Sequence, residues 1–107
     1  MNFSVRTSEN AVQDLEAIVD FISQDNPTRA RSFVDEIIRH YEKNLSSMPR
    51  KFSAFEGKLP LRLMKYQGKI RKLVFKKTVL IYFLIDDENR EILVLHIKRT
   101  PKPLEHS

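Results

Sequence analysis

Residues 78–85 read Thr78-Val79-Leu80-Ile81-Tyr82-Phe83-Leu84-Ile85 and contain the longest apolar run in the chain. The run is far shorter than the roughly 20 residues of a membrane span, and its β-branched and aromatic residues favour a buried strand. Alternate side chains of a strand point to opposite faces. Both sets are apolar here, so both faces of the strand need cover.

Two further strand-like stretches flank this run across short polar connections. Residues 70–75 precede it, with Lys76-Lys77 between, and residues 91–98 follow the polar turn at 86–90. Connections this short join antiparallel neighbours. The C-terminal half therefore predicts a three-stranded antiparallel sheet.

The N-terminal half predicts a short strand and two helices. Residues 2–6 alternate between apolar and polar types, as in a strand. Over residues 9–24 and 27–48 the apolar residues recur at steps of one, three and four, as on the buried side of amphipathic helices. Helices joined by so short a link lie close to antiparallel, so these two predict a helical hairpin.

The ends of the predicted helices carry suitable residues. Thr7 or Ser8 can cap the first helix, Asn26 can cap the second, and Pro27 suits a first helical position. Acidic residues of the first helix are expected to point mostly away from the core. They are Asp14, Glu16 and Asp20.

Residues 50–69 are less regular, with apolar residues spaced unevenly among basic ones. They predict a packed loop with a short strand near residues 61–65. The hairpin covers one sheet face, and the other face is covered either by this loop or by a partner molecule. Both alternatives remain open at this point.

These elements together predict an α+β fold in a single domain spanning residues 1–107. An N-terminal strand leads into an antiparallel α-helical hairpin, which packs on a C-terminal antiparallel β-sheet. Pro101 and Pro103 cannot continue a strand ladder, so the tail from about residue 100 is expected to be loose.

Charge is distributed unevenly along the chain. Residues 1–48 hold 5 Lys and Arg against 8 Asp and Glu, a net charge of −3. Residues 49–107 hold 14 against 6, a net charge of +8, and the two sum to +5. The basic half predicts a polyanionic or acidic-peptide partner, whereas the plainer interpretation is that surface lysines maintain solubility.

Several kinds of site are absent from the sequence. The chain has no cysteine, which excludes disulfides and thiolate metal sites. It has no Walker loop, dinucleotide fingerprint, HExxH motif or nucleophile elbow. His40, His96 and His106 show no metal-ligand spacing, so neither a metal nor a small-molecule cofactor is expected. The lack of a signal pattern or membrane span leads us to expect a cytoplasmic protein without a membrane partner.

Basic residues of the predicted sheet are the candidate partner-binding residues. They are Arg71, Lys72, Lys76, Lys77, Lys98 and Arg99. A histidine near an arginine, as with His96 and Arg99, could move protons and hold a phosphate. Alternatively, His96 caps the core and the cations meet solvent. Strict alternation places His96 and Lys98 on one face with Ile92 and Val94, and Arg99 on the other with Leu93, Leu95 and Ile97.

Six short motifs occur in an order and spacing that resemble a known family. They are Val5-x-x-Ser8-x-x-Ala11-x-x-Asp14-Leu15-x-x-Ile18, Asn26-Pro27-x-x-Ala30-x-x-Phe33, Leu45-x-x-x-Pro49, Arg71-Lys72-Leu73, Ile81-Tyr82-x-x-Ile85-Asp86 and Ile92-Leu93-x-Leu95-His96-x-x-Arg99. In this order they resemble the RelE/ParE superfamily of bacterial toxins from type II toxin–antitoxin pairs.

The resemblance implies a small cytoplasmic growth inhibitor that a co-encoded antitoxin silences by wrapping around it. We expect the antitoxin segment to be acidic, partly disordered when free, and ordered on the basic sheet. RelE-like members cut mRNA on the ribosome without a metal, whereas ParE-like members poison DNA gyrase. In a ribonuclease of this kind the catalytic residues would be Arg71, Lys76, His96 and Arg99.

The sequence departs from the ribonuclease pattern at two places. RelE-like members usually carry an arginine three positions before the residue that is Tyr82 here, and this chain has Val79 there. The tyrosine often found beyond the arginine of the last strand is also missing. Losing a guanidinium removes a charge-assisted phosphate contact. The resemblance therefore favours a gyrase inhibitor. The alternatives are a ribosome-dependent endoribonuclease and a degenerate, non-toxic member of the family or plain nucleic-acid-binding module.

Overall fold

The computed structural model describes residues 2–100. It confirms the predicted α+β class, a hairpin of two helices packed on a four-stranded sheet. The predicted loose tail lies almost wholly outside the described residues. In chain order the elements are β1 (Ser4–Thr7), α1 (Glu9–Ser23), α2 (Pro27–Ser47), 3₁₀ helices at Pro49–Lys51 and Leu61–Tyr66, β2 (Arg71–Phe75), β3 (Val79–Asp86) and β4 (Glu91–Arg99).

Side-chain caps fix the start of both helices, as predicted. The Ser8 hydroxyl accepts a hydrogen bond from the Ala11 amide at 3.2 Å, and the Asn26 side chain accepts one from the Arg29 amide at 3.0 Å. Pro27 occupies the first turn of α2, where its missing N–H leaves no bond unmade. Only three residues separate the helices, so α1 and α2 must lie side by side.

The sheet order is β1-β4-β3-β2, which puts the apolar strand β3 between β2 and β4. Both pairs are antiparallel, as predicted, and β1 joins the sheet by pairing with β4 in parallel. Three residues, 76–78, connect β2 to β3, and the first two, Lys76 and Lys77, have φ values of 48° and 62°. Positive φ at both positions is the type I′ geometry that suits the twist of a tight hairpin.

The helical hairpin covers one face of the sheet, called the inner face below. Tyr41 of α2 is fully buried there, and its hydroxyl lies 2.6 Å from the Thr7 hydroxyl. This contact supplies the hydrogen bond that a buried phenol needs. The fully buried inner-face side chains of the two helices and the sheet include Ala11, Ile37, Tyr41, Leu45, Val79, Ile81, Phe83, Ile92 and Val94.

The other face, called the outer face, is covered by the chain itself. Residues 50–69, called the outer segment, pack a second apolar cluster against it. In this cluster the Phe55 and Tyr82 ring centroids are 4.6 Å apart. Of the two alternatives left open by the sequence, the loop rather than a partner therefore covers this face. The buried members of the cluster are Leu59, Leu63, Ile70, Leu80, Tyr82 and Leu95.

The short strand predicted near residues 61–65 is wrong, because Leu61–Tyr66 forms a 3₁₀ helix. In a 3₁₀ helix, residues three apart share a side. Leu63 and Tyr66 therefore both pack on the sheet, whereas Leu61 and Met64 face outward and are 86% and 50% exposed. The spacing of apolar residues here follows a period of three rather than two.

The predicted assignment of faces along β4 is wrong beyond residue 94, because the strand contains a β-bulge. Phe83 pairs with Val94 but Tyr82 pairs with His96, which leaves Leu95 as an extra residue. One extra residue exchanges the two faces of all that follows. After the bulge, His96 and Lys98 lie on the outer face with Leu95, and Ile97 and Arg99 lie on the inner face with Ile92 and Val94.

Two leucines of the outer segment provide a matched test of its packing. Leu63 is 3% exposed and Leu61 is 86% exposed. We expect Leu63→Ala to lower the free energy of unfolding by about 2–5 kcal/mol through lost burial and a cavity. Leu61→Ala should change it by less than about 0.5 kcal/mol. Urea denaturation of the full chain measures both, and equal effects would mean that the segment does not pack on the sheet.

Candidate functional site

Four of the predicted partner-binding residues lie together at one end of the sheet. Val79, which follows the β2–β3 turn, pairs with Arg99 at the end of β4, and the Thr100 amide donates to the Thr78 carbonyl at 2.8 Å. The turn and the end of β4 are therefore neighbours. We call this group the cationic sheet end; it consists of Lys76, Lys77, Lys98 and Arg99.

Lys76 already has an anionic partner on α2. Its ammonium lies 2.8 Å from one Glu36 oxygen, and Arg29 lies 2.8 Å from the other. Hydrogen bonds from Lys76 and then Arg29 hold the pKa of Glu36 below its ordinary value. Exposed pairs of this kind contribute little to stability, and they leave less of the Lys76 charge for a partner.

Arg99 lies on an exposed aromatic ring of α1. Its guanidinium carbon is 4.9 Å from the centre of the Phe21 ring, and Phe21 is 58% exposed. Beside this pair an open groove of about 630 Å³ runs between α1 and the end of β4. We call it the α1–β4 groove; it is lined by Asp14, Ala17, Ile18, Phe21, His96, Ile97, Lys98, Arg99 and Thr100.

Arg71 and Lys72 lie elsewhere. Arg71 starts β2 and pairs with Phe83, about 13 Å along the strand from the turn at about 3.3 Å per residue. Its guanidinium donates to the Phe52 carbonyl at 2.7 Å, and the Lys72 amide donates to the Ser53 carbonyl at 3.1 Å. Both residues hold the outer segment against the edge of β2.

His96 joins α1, β4 and the outer segment through one ring nitrogen. Its Nδ1 is 2.9 Å from Oδ2 of Asp14 and 2.9 Å from a guanidinium nitrogen of Arg62. The same Asp14 oxygen accepts a hydrogen bond from the Ile97 amide at 2.9 Å. A protonated Nδ1 can donate only to Asp14, and an unprotonated Nδ1 can accept only from Arg62.

Opposing influences act on the protonation of His96. Burial lowers its pKa, the Asp14 carboxylate raises it, and the Arg62 guanidinium lowers it again, with a smaller lowering from Lys98. The balance places the pKa below the ordinary histidine value. The neutral ring is therefore favoured near pH 7. Its Nδ1–H tautomer donates to Asp14, whereas its Nε2–H tautomer accepts from Arg62.

The prediction that Asp14 points away from the core is wrong, although Glu16 and Asp20 are exposed as expected. Asp14 faces β4 because β1 ends at Thr7 and leaves the Ile97 amide open to α1. In the sequence, the one signal that Asp14 has such a role was its position in the motif that runs from Val5 to Ile18. Nothing in the sequence pointed to Arg62.

The residues predicted for a ribonuclease site are not brought into one cluster. Lys76 and Arg99 lie at the cationic sheet end, and His96 lies on the outer face beyond the bulge. Arg71 lies at the far end of β2, bonded to Phe52. No common centre for a single phosphate is therefore formed by all four.

The described residues also offer no metal site. Among residues 2–100, no three His, Asp or Glu side chains are grouped closely enough to hold an ion. Within the same range, no helix has both the length and the apolar character needed to cross a bilayer.

The two neighbours of His96 should shift its titration in opposite directions. We expect Asp14→Asn to lower the midpoint, because a carboxylate that favours the charged ring is lost. Arg62→Gln should raise the midpoint, because a repelling cation is lost. NMR of the ring protons against pH measures both, and the wild-type midpoint should lie below about 6.5.

His40 provides an internal control, since burial also lowers its pKa and it contacts neither substituted residue. Its midpoint should not move in either variant. Because the unfolded chain binds more protons than the native one below about pH 6.5, stability should fall as the pH decreases through this value. His96→Gln should weaken that fall. Midpoints of His96 that move in the same direction in both variants would contradict the shared-nitrogen geometry.

Comparison with known proteins identifies a matching family. Residues 5–101 match the model of the ParE toxin of the type II toxin–antitoxin system parDE. No curated protein sequence shows significant similarity.

Solved structures share the fold at low sequence identity. A chain of the chromosomal ParDE system from P. aeruginosa is 22% identical, with a TM-score of 0.69 over 92% of this chain and 96% of that one. A chain of the RelBE2 toxin–antitoxin complex from Mycobacterium tuberculosis is 18% identical, with a TM-score of 0.65 over 95% of each chain. The RelE toxin of E. coli is 9% identical, with a TM-score of 0.50 over 94% of this chain and 86% of that one. Since the family model spans nearly the whole chain, the protein belongs to the ParE toxin family of type II toxin–antitoxin systems.

Proposed function

We propose that this toxin inhibits DNA gyrase and is not a ribonuclease, and that an acidic antitoxin neutralises it. Membership of the ParE toxin family supports a non-enzymatic mode of action. Because gyrase acts on the chromosome, the proposal also places the protein in the cytoplasm. The antitoxin would supply the negative charge that the basic C-terminal half lacks.

The environment of Val79 is the observation that carries the proposal. Val79 stands where RelE-like ribonucleases usually carry an arginine, and its side chain is fully buried on the inner face. It pairs with Phe75 on one side and Arg99 on the other. An arginine here would have to bury its charge under the helical hairpin, which is strongly unfavourable without a partner. In this chain, position 79 is therefore part of the hydrophobic core.

The spread of the remaining basic residues supports the same proposal. Cleavage of a phosphodiester needs a base, an acid and a cation around one phosphorus. His96 is held between Asp14 and Arg62, and Arg71 is engaged with a backbone carbonyl at the far end of β2. By contrast, Lys77, Lys98 and Arg99 all lie at the cationic sheet end, where their charges suit contact with a macromolecule.

Supercoiling by purified gyrase tests the proposal. Addition of the full chain should reduce conversion of relaxed plasmid to the supercoiled form. Lys98→Glu/Arg99→Glu should weaken this inhibition about tenfold or more, since each reversal opposes the contact. Arg39→Glu/Lys43→Glu, on the exposed side of α2, makes the same change in net charge and should retain inhibition.

Three results would overturn the proposal. Unchanged supercoiling together with new 5′ ends in translated mRNA would establish the ribonuclease alternative. Normal growth when the chain is induced without its antitoxin would establish a non-toxic binding module. Equal loss of inhibition in both double variants would mean that total charge, rather than the cationic sheet end, is responsible.

A further inference from the structure

We propose that the exposed surface of the outer segment binds duplex DNA, with its lysines on the phosphate backbone and the side chains of Leu61 and Met64 in the minor groove. This inference goes beyond the inhibition of gyrase and does not depend on it. It assigns a ligand to the layer of the chain that lies across the sheet from the helical hairpin.

Charge is separated between the two layers that cover the sheet. Residues 9–47, which contain both helices, hold 4 Lys and Arg against 8 Asp and Glu, a net charge of −4. Residues 50–69, the outer segment, hold 6 against 1, a net charge of +5. Because these layers lie on opposite faces of the sheet, a polyanion is attracted to the outer segment and repelled by the hairpin.

All six cations of the outer segment are exposed, and two of them are already engaged. Arg50 pairs with Asp87, whereas Arg62 contacts His96 and lies 3.9 Å from Asp14. The other four form no ion pair with any residue in the range 2–100. They are Lys51, Lys58, Lys65 and Lys69. Their charges therefore remain available to phosphate groups.

The 3₁₀ helix Leu61–Tyr66 presents apolar and cationic side chains next to each other. Residues three apart share a side of such a helix. Leu61 and Met64 form its exposed apolar side. Arg62 and Lys65 each come one position later and form the neighbouring side, which is also exposed. An aliphatic strip therefore lies beside a cationic strip on the outer surface of the protein.

The composition of this surface favours a nucleic acid over a protein partner. Protein–protein interfaces are depleted in lysine and enriched in arginine and aromatic residues. In the outer segment the unpaired cations are all lysines, and the large apolar side chains that are exposed are aliphatic. Lysine is a point charge on a flexible stem, so it can follow a row of phosphates without a fixed geometry.

The packing of the aromatic rings favours a duplex over a single strand. Single strands are held by bases that stack on exposed aromatic side chains. Phe52, Phe55 and Tyr66 instead pack against the apolar core and are only partly exposed. Leucine and methionine are among the residues that wedge between base steps from the minor groove of DNA. The minor groove of duplex RNA is wide and shallow, so a wedge favours DNA.

Fluorescence anisotropy of the full chain with a labelled DNA duplex of about 20 base pairs tests the inference. If the four unpaired lysines each contact a phosphate, the logarithm of the affinity should fall against the logarithm of the salt concentration with a slope of about −3.6. This slope weakens binding about 150-fold from about 50 to 200 mM salt. No binding at the lower salt concentration, or equal competition by the unlabelled single strand, would overturn the proposal.

Two charge variants test the role of the lysines. Lys58→Gln/Lys65→Gln should make the slope shallower by about 1.8, because two phosphate contacts are lost. Arg39→Gln/Lys43→Gln, on the exposed side of α2, removes the same charge from the hairpin layer and should leave the slope unchanged. Equal changes in both variants would mean that net charge alone attracts the DNA, and the outer segment would not be the site.

The aliphatic strip has its own matched pair. Insertion of Leu61 and Met64 should bend the duplex, which raises energy transfer between two dyes at its ends. Leu61→Ala/Met64→Ala should abolish this rise. Val12→Ala/Phe21→Ala also removes two exposed apolar side chains, both on α1, and should retain it. No rise with the wild-type chain, or a rise that survives the first pair of substitutions, would overturn the insertion of a wedge.

Failure of this inference differs from failure of the proposed function, because DNA binding is measured without gyrase. A chain that inhibits gyrase but does not bind the duplex would overturn the inference and leave the proposed function unaffected. A chain that binds the duplex but leaves gyrase active would do the reverse. Lys58→Gln/Lys65→Gln keeps the cationic sheet end and should still inhibit gyrase. Loss of inhibition in this variant would mean that the chain acts by covering the plasmid, which contradicts the proposed target.

Discussion

Burial of β3 on both faces is the constraint on which the rest of the structure depends. Its two sets of apolar side chains cannot both be covered by one helical hairpin. The hairpin covers the inner face, and the outer segment covers the other with Leu59, Leu63 and Tyr66. Once both faces are closed by the chain itself, polar surface for a partner remains at the ends and edges of the sheet. The cationic sheet end and the α1–β4 groove lie there.

The bulge in β4 places His96 where it contacts both the helical hairpin and the outer segment, the two parts of the chain that cover the sheet. Without the extra residue Leu95, His96 would face the hairpin and Arg99 the outer segment. With it, His96 meets Arg62 of the outer segment and Asp14 of α1, and Arg99 reaches Phe21. The extra residue Leu95 thus places His96 in contact with both α1 and the outer segment, and it places Arg99 beside the α1–β4 groove.

Local signals in the sequence predicted most of the fold, and contacts distant in sequence decided the rest. The caps at Ser8 and Asn26 and the apolar run of β3 are readable because their physical cause lies within a few residues. The strand prediction for residues 61–65 was wrong because Leu61 and Leu63 alternate as in a strand. The pair that packs on the sheet is instead Leu63 and Tyr66. The bulge left no local mark, and the role of Asp14 depends on the amide of a residue 83 positions away.

Hydrogen exchange of the free chain tests the central claim, a sheet closed on both faces but open along the end of β4. The amides of Ile81 and Phe83 should be among the slowest to exchange. Along β4, the Lys98 amide, directed toward β3, should exchange at least tenfold more slowly than the neighbouring Arg99 amide, which faces the open side. Equal protection of Lys98 and Arg99 would contradict the open edge, and fast exchange throughout β3 would contradict its burial.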